Sequence, residues 1–329
     1  MACITPTAHV LCVGPLLLDR LTFLSGAPER IHPAGNALIF SAVAARMGLK
    51  VAAAGQTGAD DSGDIIARFL EIHGVGSSHV RRLTGRVTKV TRVIIDLEGE
   101  WRREGANIDV FPYIDAEYVQ TICGLEGYTN LHVAGFNALV RVAPGATAHL
   151  LKSYRECKVR ISFGLTVSRC DLKFLEGLIE PHDILFCTES EYWSLQQGAV
   201  KGTSGLLDSV RRSRFENCVI TRGKHGAIAK WRGSEFYRIR AVETTQRNTL
   251  GAGDTFSSLT LAALLSGHPI EAALSIASVA ASKSIANLTW SEWIESNEGL
   301  SELASTLIDK NAMPHIVRRI EPTEGDHDE

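Results

Sequence analysis

Short apolar runs separated by polar turns set the rhythm of this chain. His9 to Val13 reads His-Val-Leu-Cys-Val and stops at Gly14, the pattern of a buried strand. Lys50 to Ala54, Asn130 to Ala134, Val159 to Phe163, Ile184 to Cys187 and Asn217 to Ile220 have the same character. Between them lie helix-like stretches, among them Leu38 to Met47, Asp64 to His73 and Pro144 to Glu156. Strands alternating with helices predict βαβ units and a mostly parallel sheet. Ala227 to Trp231 and Glu235 to Ile239 surround Gly233 and read as antiparallel additions.

Two further patterns stand apart. Thr88 to Asp96 and Trp101 to Glu104 flank Leu97-Glu98-Gly99-Glu100, which predicts a hairpin. Its first arm alternates polar and apolar positions, as in a sheet with one wet face. Phe256 to Leu265 and Ile270 to Ala286 are rich in small residues, which predicts two closely packed helices.

Composition narrows the class without naming it. The 329 residues give room for one large α/β domain or two modest ones, and 45% hydrophobic with 22% charged residues is ordinary for a globular protein. A net charge of -3 supplies no general pull toward nucleic acid or acidic membranes. Arg102-Arg103 and Arg211-Arg212-Ser213-Arg214 read as solvated faces. The seven cysteines are scattered and form no CxxC pair, so neither a zinc site nor a disulfide framework is expected, and a reducing cytoplasm fits. The first residues lack a signal-peptide pattern, and no run approaches the ~18 apolar residues of a membrane helix. A cytoplasmic chain with neither nucleic acid nor membrane as partner is the expectation.

The chemistry concentrates in Asn248-Thr249-Leu250-Gly251-Ala252-Gly253-Asp254-Thr255-Phe256. Small residues and a carboxylate stand directly before a long apolar run, where a helix would begin. Unpaired amides and the helix dipole at such a start favour an anion. A carboxylate beside a bound anion makes sense as a base that takes a proton from an attacking hydroxyl. A turn followed by an N-cap accounts for a bare Gly-Ala-Gly-Asp equally well.

The longer stretch resembles the C-terminal signature of the ribokinase-like (PfkB) family of carbohydrate and nucleoside kinases, Asp-Thr-x-Gly-Ala-Gly-Asp-x-Phe, with Asn248 in place of the first Asp. The resemblance implies a three-layer α/β/α domain over residues 8–312, with a central mostly parallel sheet and a small β-sheet lid. The lid would be built from residues 17–32 and 86–106, and residues 313–329 would form a C-terminal tail. It also implies ATP-dependent phosphorylation of a hydroxyl on a small sugar or sugar derivative. Asp254 would be the catalytic base, and the amides of Leu250, Gly251, Ala252 and Gly253 the anion hole.

Other positions match the family in part. Gly14 and Asp19 fit its opening Gly-Ser-x-Asn-x-Asp, whose Asp holds substrate hydroxyls, while Leu17 replaces the Asn. Ala34-Gly35 takes the place of the first signature's Gly-Gly, and Ile39 that of its Asn. Asn36 would supply an amide instead, so that Asp19, Gly35 and Asn36 hold the acceptor. Asn107, in Gly105-Ala106-Asn107, would line the same pocket. In Cys187-Thr188-Glu189-Ser190-Glu191 the last residue matches the Glu of Asn-x-x-Glu, which acts through water on magnesium, and Thr188 replaces the Asn. Thr221-Arg222-Gly223-Lys224-His225-Gly226 resembles the family's Thr-x-Gly-x-x-Gly turn. Thr188, Glu191, Thr221, Gly223 and Gly226 would thus hold Mg-ATP, with Arg222 or Lys224 near the phosphates. A potassium ion beside the anion hole belongs to the same resemblance, though Asn248 departs from it. The lid edges suggest a homodimer. Two alternatives stay open: a nucleoside as acceptor, and a nucleotide- or sugar-binding regulator without turnover.

Overall fold

The strand that begins the described chain lies inside the sheet, not at its edge. The computed structural model describes residues 9–104, 114–166, 172–195, 205–296 and 316–320. Its strands are β1 (His9–Val13), β2 (Leu17–Phe23), β3 (Arg30–Ala34), β4 (Lys50–Gly58), β5 (Gly76–Leu83), β6 (Val90–Ile95), β7 (Trp101–Arg103), β8 (Asn130–Ala134), β9 (Arg160–Gly164), β10 (Ile184–Thr188), β11 (Asn217–Thr221), β12 (Ala227–Trp231), β13 (Glu235–Ile239) and β14 (Val317–Ile320). The helices are α1 (Asn36–Arg46), α2 (Asp61–Ile72), α3 (Ala116–Thr121), α4 (Phe136–Val142), α5 (Pro144–Glu156), α6 (Leu172–Leu178), α7 (Glu189–Leu195), α8 (Leu206–Arg212), α9 (Ala252–Leu265), α10 (Ile270–Ile285) and α11 (Trp290–Glu295).

Ten strands form the large sheet in the order β14-β13-β12-β11-β10-β9-β8-β1-β4-β5. From β11 through β5 each neighbouring pair is parallel, and β12, β13 and β14 add antiparallel strands at one end. Because side chains alternate along a strand, Val10 and Cys12 face one layer while Leu11 and Val13 face the other. The first layer is built from α1, α2, α9, α10 and α11, the second from α3, α4, α5, α6, α7 and α8. The result is the expected ribokinase-like α/β/α sandwich. β14 corrects one boundary: Val317–Ile320 pairs with β13 and belongs to the sheet, not to a C-terminal tail over residues 313–329. Its four residues, Val-Arg-Arg-Ile, show no polar–apolar alternation, so the strand does not stand out in the sequence.

A separate four-stranded sheet, β3-β2-β6-β7, forms the lid. Leu21, Phe23, Val93 and Ile95 make its inner face and pack on Leu250, so the lid's small core includes a residue of the Gly-Ala-Gly-Asp segment. The hairpin tip between β6 and β7 is tied to the same segment. Thr249 N donates to Gly99 O (2.9 Å), and the Thr249 hydroxyl donates to Glu100 (3.0 Å). Gln246 Nε2 donates to Glu98 O (2.7 Å) and to Glu100 Oε1 (2.9 Å).

In parallel sheets, ligands gather beyond the carboxyl ends of strands, where the connection order reverses. β1 is that point here, since β4 lies on one side and β8 on the other. β2 follows directly and carries the chain into the lid.

Candidate active site

Two helices begin at the same place. α1 starts after Gly35 and α9 after Gly251, and neither has a side-chain cap. Gly35 takes φ 100°, and a Cβ there would run into the Pro15 carbonyl. Gly251 takes φ 84°, with Ile39 and Trp290 3.2–3.3 Å from where its Cβ would lie. Only glycine fits such turns without strain. Asn36, the first residue of α1, reaches Asp254 on the first turn of α9: its Nδ2 donates to Oδ1 at 2.9 Å and to Oδ2 at 3.2 Å. Two positive helix ends therefore converge on one carboxylate.

Four amides of the Gly-Ala-Gly-Asp segment were expected to face an anion, and the structure divides them. Leu250 N donates to Asn248 Oδ1 (2.9 Å) and Ala252 N to Thr249 O (3.2 Å), so both are engaged inside the protein. Among the described residues, Gly251 N and Gly253 N have no partner. A Cβ on Gly253 would meet no atom within 4 Å. Its glycine leaves open room in front of the helix, not space for a neighbouring chain segment.

Burial pushes the Asp254 carboxyl up to about 7, the nearby Glu191 charge adding to the effect, while the Asn36 hydrogen bond and Arg103 oppose it. Asp19, on β2, is 4% exposed, and its Oδ1 has no hydrogen-bond partner among the described residues. Burial raises it to about 7 as well, against the pull of the same Arg103. Arg103 Nε is likewise buried without a partner. Arg103 corrects the reading of Arg102-Arg103 as a solvated pair: Arg102 is exposed, but Arg103 stands within electrostatic reach of both carboxylates. The alternation of β7 turns neighbouring side chains to opposite faces, and that was the signal available in the sequence.

The expected nucleotide side lies at the ends of β10 and β11, where Thr188 and Thr221 are register neighbours. Glu191 Oε2 accepts from Thr188 N (2.8 Å), and the Thr188 hydroxyl accepts from Glu191 N (3.3 Å). This reciprocal pair caps α7. Burial raises the Glu191 carboxyl, and the bonds from Thr188 restrain the rise. Arg222 pairs with Glu189 (3.2 Å). Gly223 and Gly226 bound the turn after β11, with Gly226 N donating to Gly223 O (3.0 Å). Asn107 lies outside the described residues. Ile39 packs beneath Gly251 and contributes no polar group.

The family pattern described as pfkB family carbohydrate kinase matches residues 26–290, most of the chain. The chain belongs to the pfkB family of carbohydrate kinases. A curated relative, the 5-dehydro-2-deoxygluconokinase of Listeria innocua serovar 6a (strain ATCC BAA-680 / CLIP 11262), is 33% identical over 104 residues, covering 31% of this chain and 32% of the relative. That match and the one to the namesake of Halalkalibacterium halodurans (strain ATCC BAA-125 / DSM 18197 / FERM 7344 / JCM 9153 / C-125) span only 32% and 38% of those proteins. A crystal structure of ribokinase from Cryptococcus neoformans var. grubii serotype A in complex with ADP superposes with a TM-score of 0.74 at 21% identity, covering 90% of this chain and 99% of that one. At that identity the likeness bears on the fold. This pfkB chain has no described helix long and apolar enough to cross a membrane.

Proposed function

We propose that this pfkB protein transfers the γ-phosphoryl group of ATP to a hydroxyl of a small sugar derivative, a sugar acid above all. The observation that supports this most is the half-buried Asp254 at the first turn of α9, with Asp19 and Arg103 on the lid side of the same cleft. Asp254 takes the proton of the acceptor hydroxyl. That oxygen forms the new bond to phosphorus as the bond to the departing ADP oxygen breaks. A base poised near neutrality suits the task. The free amides of Gly251 and Gly253 face the charge spread over the transferring group, where most of the stabilisation in such chemistry arises.

Asp19 accepts from acceptor hydroxyls, and Arg103 pairs with an acceptor carboxylate. The relatives named 5-dehydro-2-deoxygluconokinase carry a name that denotes an acidic acceptor, which supports this assignment. Thr188, Glu191, Thr221, Gly223 and Gly226 line the nucleotide side. Magnesium, when bound, neutralises the phosphate charges. Glu191 would hold that magnesium through water, as suits an ion that keeps several of its waters. Two copies would pair through the lid, where Leu24 and Ile31 stand more than half exposed at 54% and 53%.

The test is coupled ADP release over a panel of sugars, sugar acids and nucleosides with Mg-ATP. Sugar acids should release ADP, and Asp254→Asn should abolish turnover while ATP still raises the melting temperature. Arg103→Met should raise KM for acids far more than for neutral acceptors. A neutral sugar or nucleoside as best acceptor overturns the acid assignment. Silence across the panel, with ATP binding retained, leaves the binding-only regulator.

A further inference from the structure

Asn248 is 3% exposed, and both ends of its side chain are used. Oδ1 accepts from Leu250 N (2.9 Å), and Nδ2 donates to Leu288 O (2.7 Å). The amide can be oriented only this way, because an N–H faces one end and a carbonyl the other. The backbone N–H groups of Arg247 and Asn248 both donate to Ile285 O, at 2.8 and 3.1 Å. The segment leading into the anion hole is thereby fastened to the end of α10 and the loop before α11.

The family signature places an aspartate at this position. A carboxylate oxygen in place of Nδ2 would face the Leu288 carbonyl at hydrogen-bond distance, two acceptors with no hydrogen between them. Such a contact needs a proton or a cation to hold it. Potassium beside the anion hole is what the family resemblance implies, and oxygen donors are what it requires. Here the donor set does not fit, since an amide N–H₂ already occupies the contact. We infer that the Asn248 side chain takes the place of a monovalent cation, so that the anion hole is assembled and phosphoryl transfer proceeds without potassium.

The activity arm of the test rests on the kinase reading, and the melting arm does not. Wild-type protein and Asn248→Asp are compared in potassium, sodium and choline chloride at equal ionic strength, with ATP as its Tris salt. Wild type should keep its kcat within twofold and its melting temperature unchanged across the three salts. Asn248→Asp should lose activity at least tenfold in choline and regain it with potassium. Its melting temperature, measured without nucleotide, should rise with potassium. A wild-type rate that falls fivefold or more on replacing potassium overturns the inference. So does an Asn248→Asp protein as active and as stable in choline as in potassium. Should Asn248→Asp fail to fold, the wild-type salt comparison decides alone.

Discussion

Asn36 and Gly253 carry roles out of proportion to their size. The Asn36 amide donates to both oxygens of Asp254, which favours the ionised form and so lowers the pKa. In Asn36→Ala that restraint is lost and the carboxyl rises. With Asp254 as the proposed base, the acidic limb of the kcat–pH profile is expected near 7 in the wild type and should move up by roughly one unit in the variant. A pH–rate series on both proteins checks this, and an unmoved limb would detach Asn36 from the base. Gly253 sits in open space, so Gly253→Ala disturbs no neighbour. It should raise stability by roughly 0.5 kcal/mol through helix propensity. The same methyl stands before the amides, and activity should fall by about tenfold, or ~1.4 kcal/mol of barrier. Calorimetry and steady-state kinetics read the two effects separately.

At the scale of elements, periodicity was informative wherever an element is long and one-sided. α5, β12 and β13 begin and end where their sequence patterns do. The hairpin of β6 and β7 follows from its turn residues. Pairings between distant segments were not legible. β2 lies parallel to β6, and Asn36 meets Asp254 across 218 positions, because the packing of α1 on α9 decides it. Local spacing could place Arg103 on a strand but could not say that it would come within electrostatic reach of Asp19 and Asp254. Glu100, a turn residue by sequence, accepts from both Thr249 and Gln246. Glu100→Ala removes those bonds and leaves the backbone contact of Gly99. It should raise KM for acceptor and ATP together by about tenfold, as expected for one to two hydrogen bonds. Unaltered KM values would show that the tip does not position the loop.

Across the whole molecule, the raised carboxyls of Asp19 and Asp254 make the site a source of instability. Their folded pKa of about 7 lies above the ordinary carboxyl value of 3.8, so between those limits the folded state holds more protons than the unfolded one. Stability from these groups is therefore greatest below about 4, falls as pH rises, and levels off above about 7. Asp254→Asn cannot ionise and escapes its share. Its melting temperature should exceed that of wild type at pH 8, with the gap narrowing toward pH 4. An equal gap at every pH would show that the Asp254 carboxyl does not titrate as its burial demands.

The fastening of the hairpin tip to the Thr249 loop has a thermodynamic consequence. One strand of that hairpin brings Arg103 within electrostatic reach of Asp19 and Asp254, and its tip holds the residues that lead into the amides of Gly251 and Gly253. On the proposed function, an acceptor that steadies the lid would steady the loop of Gly251 and Gly253 as well, lowering the ordering cost that the nucleotide would otherwise meet alone. Linkage makes the exchange symmetric: whatever factor the acceptor adds to nucleotide affinity, the nucleotide must return to acceptor affinity. On the proposed kinase reading, this hairpin would couple the two half-sites, so that neither substrate would bind as an independent event.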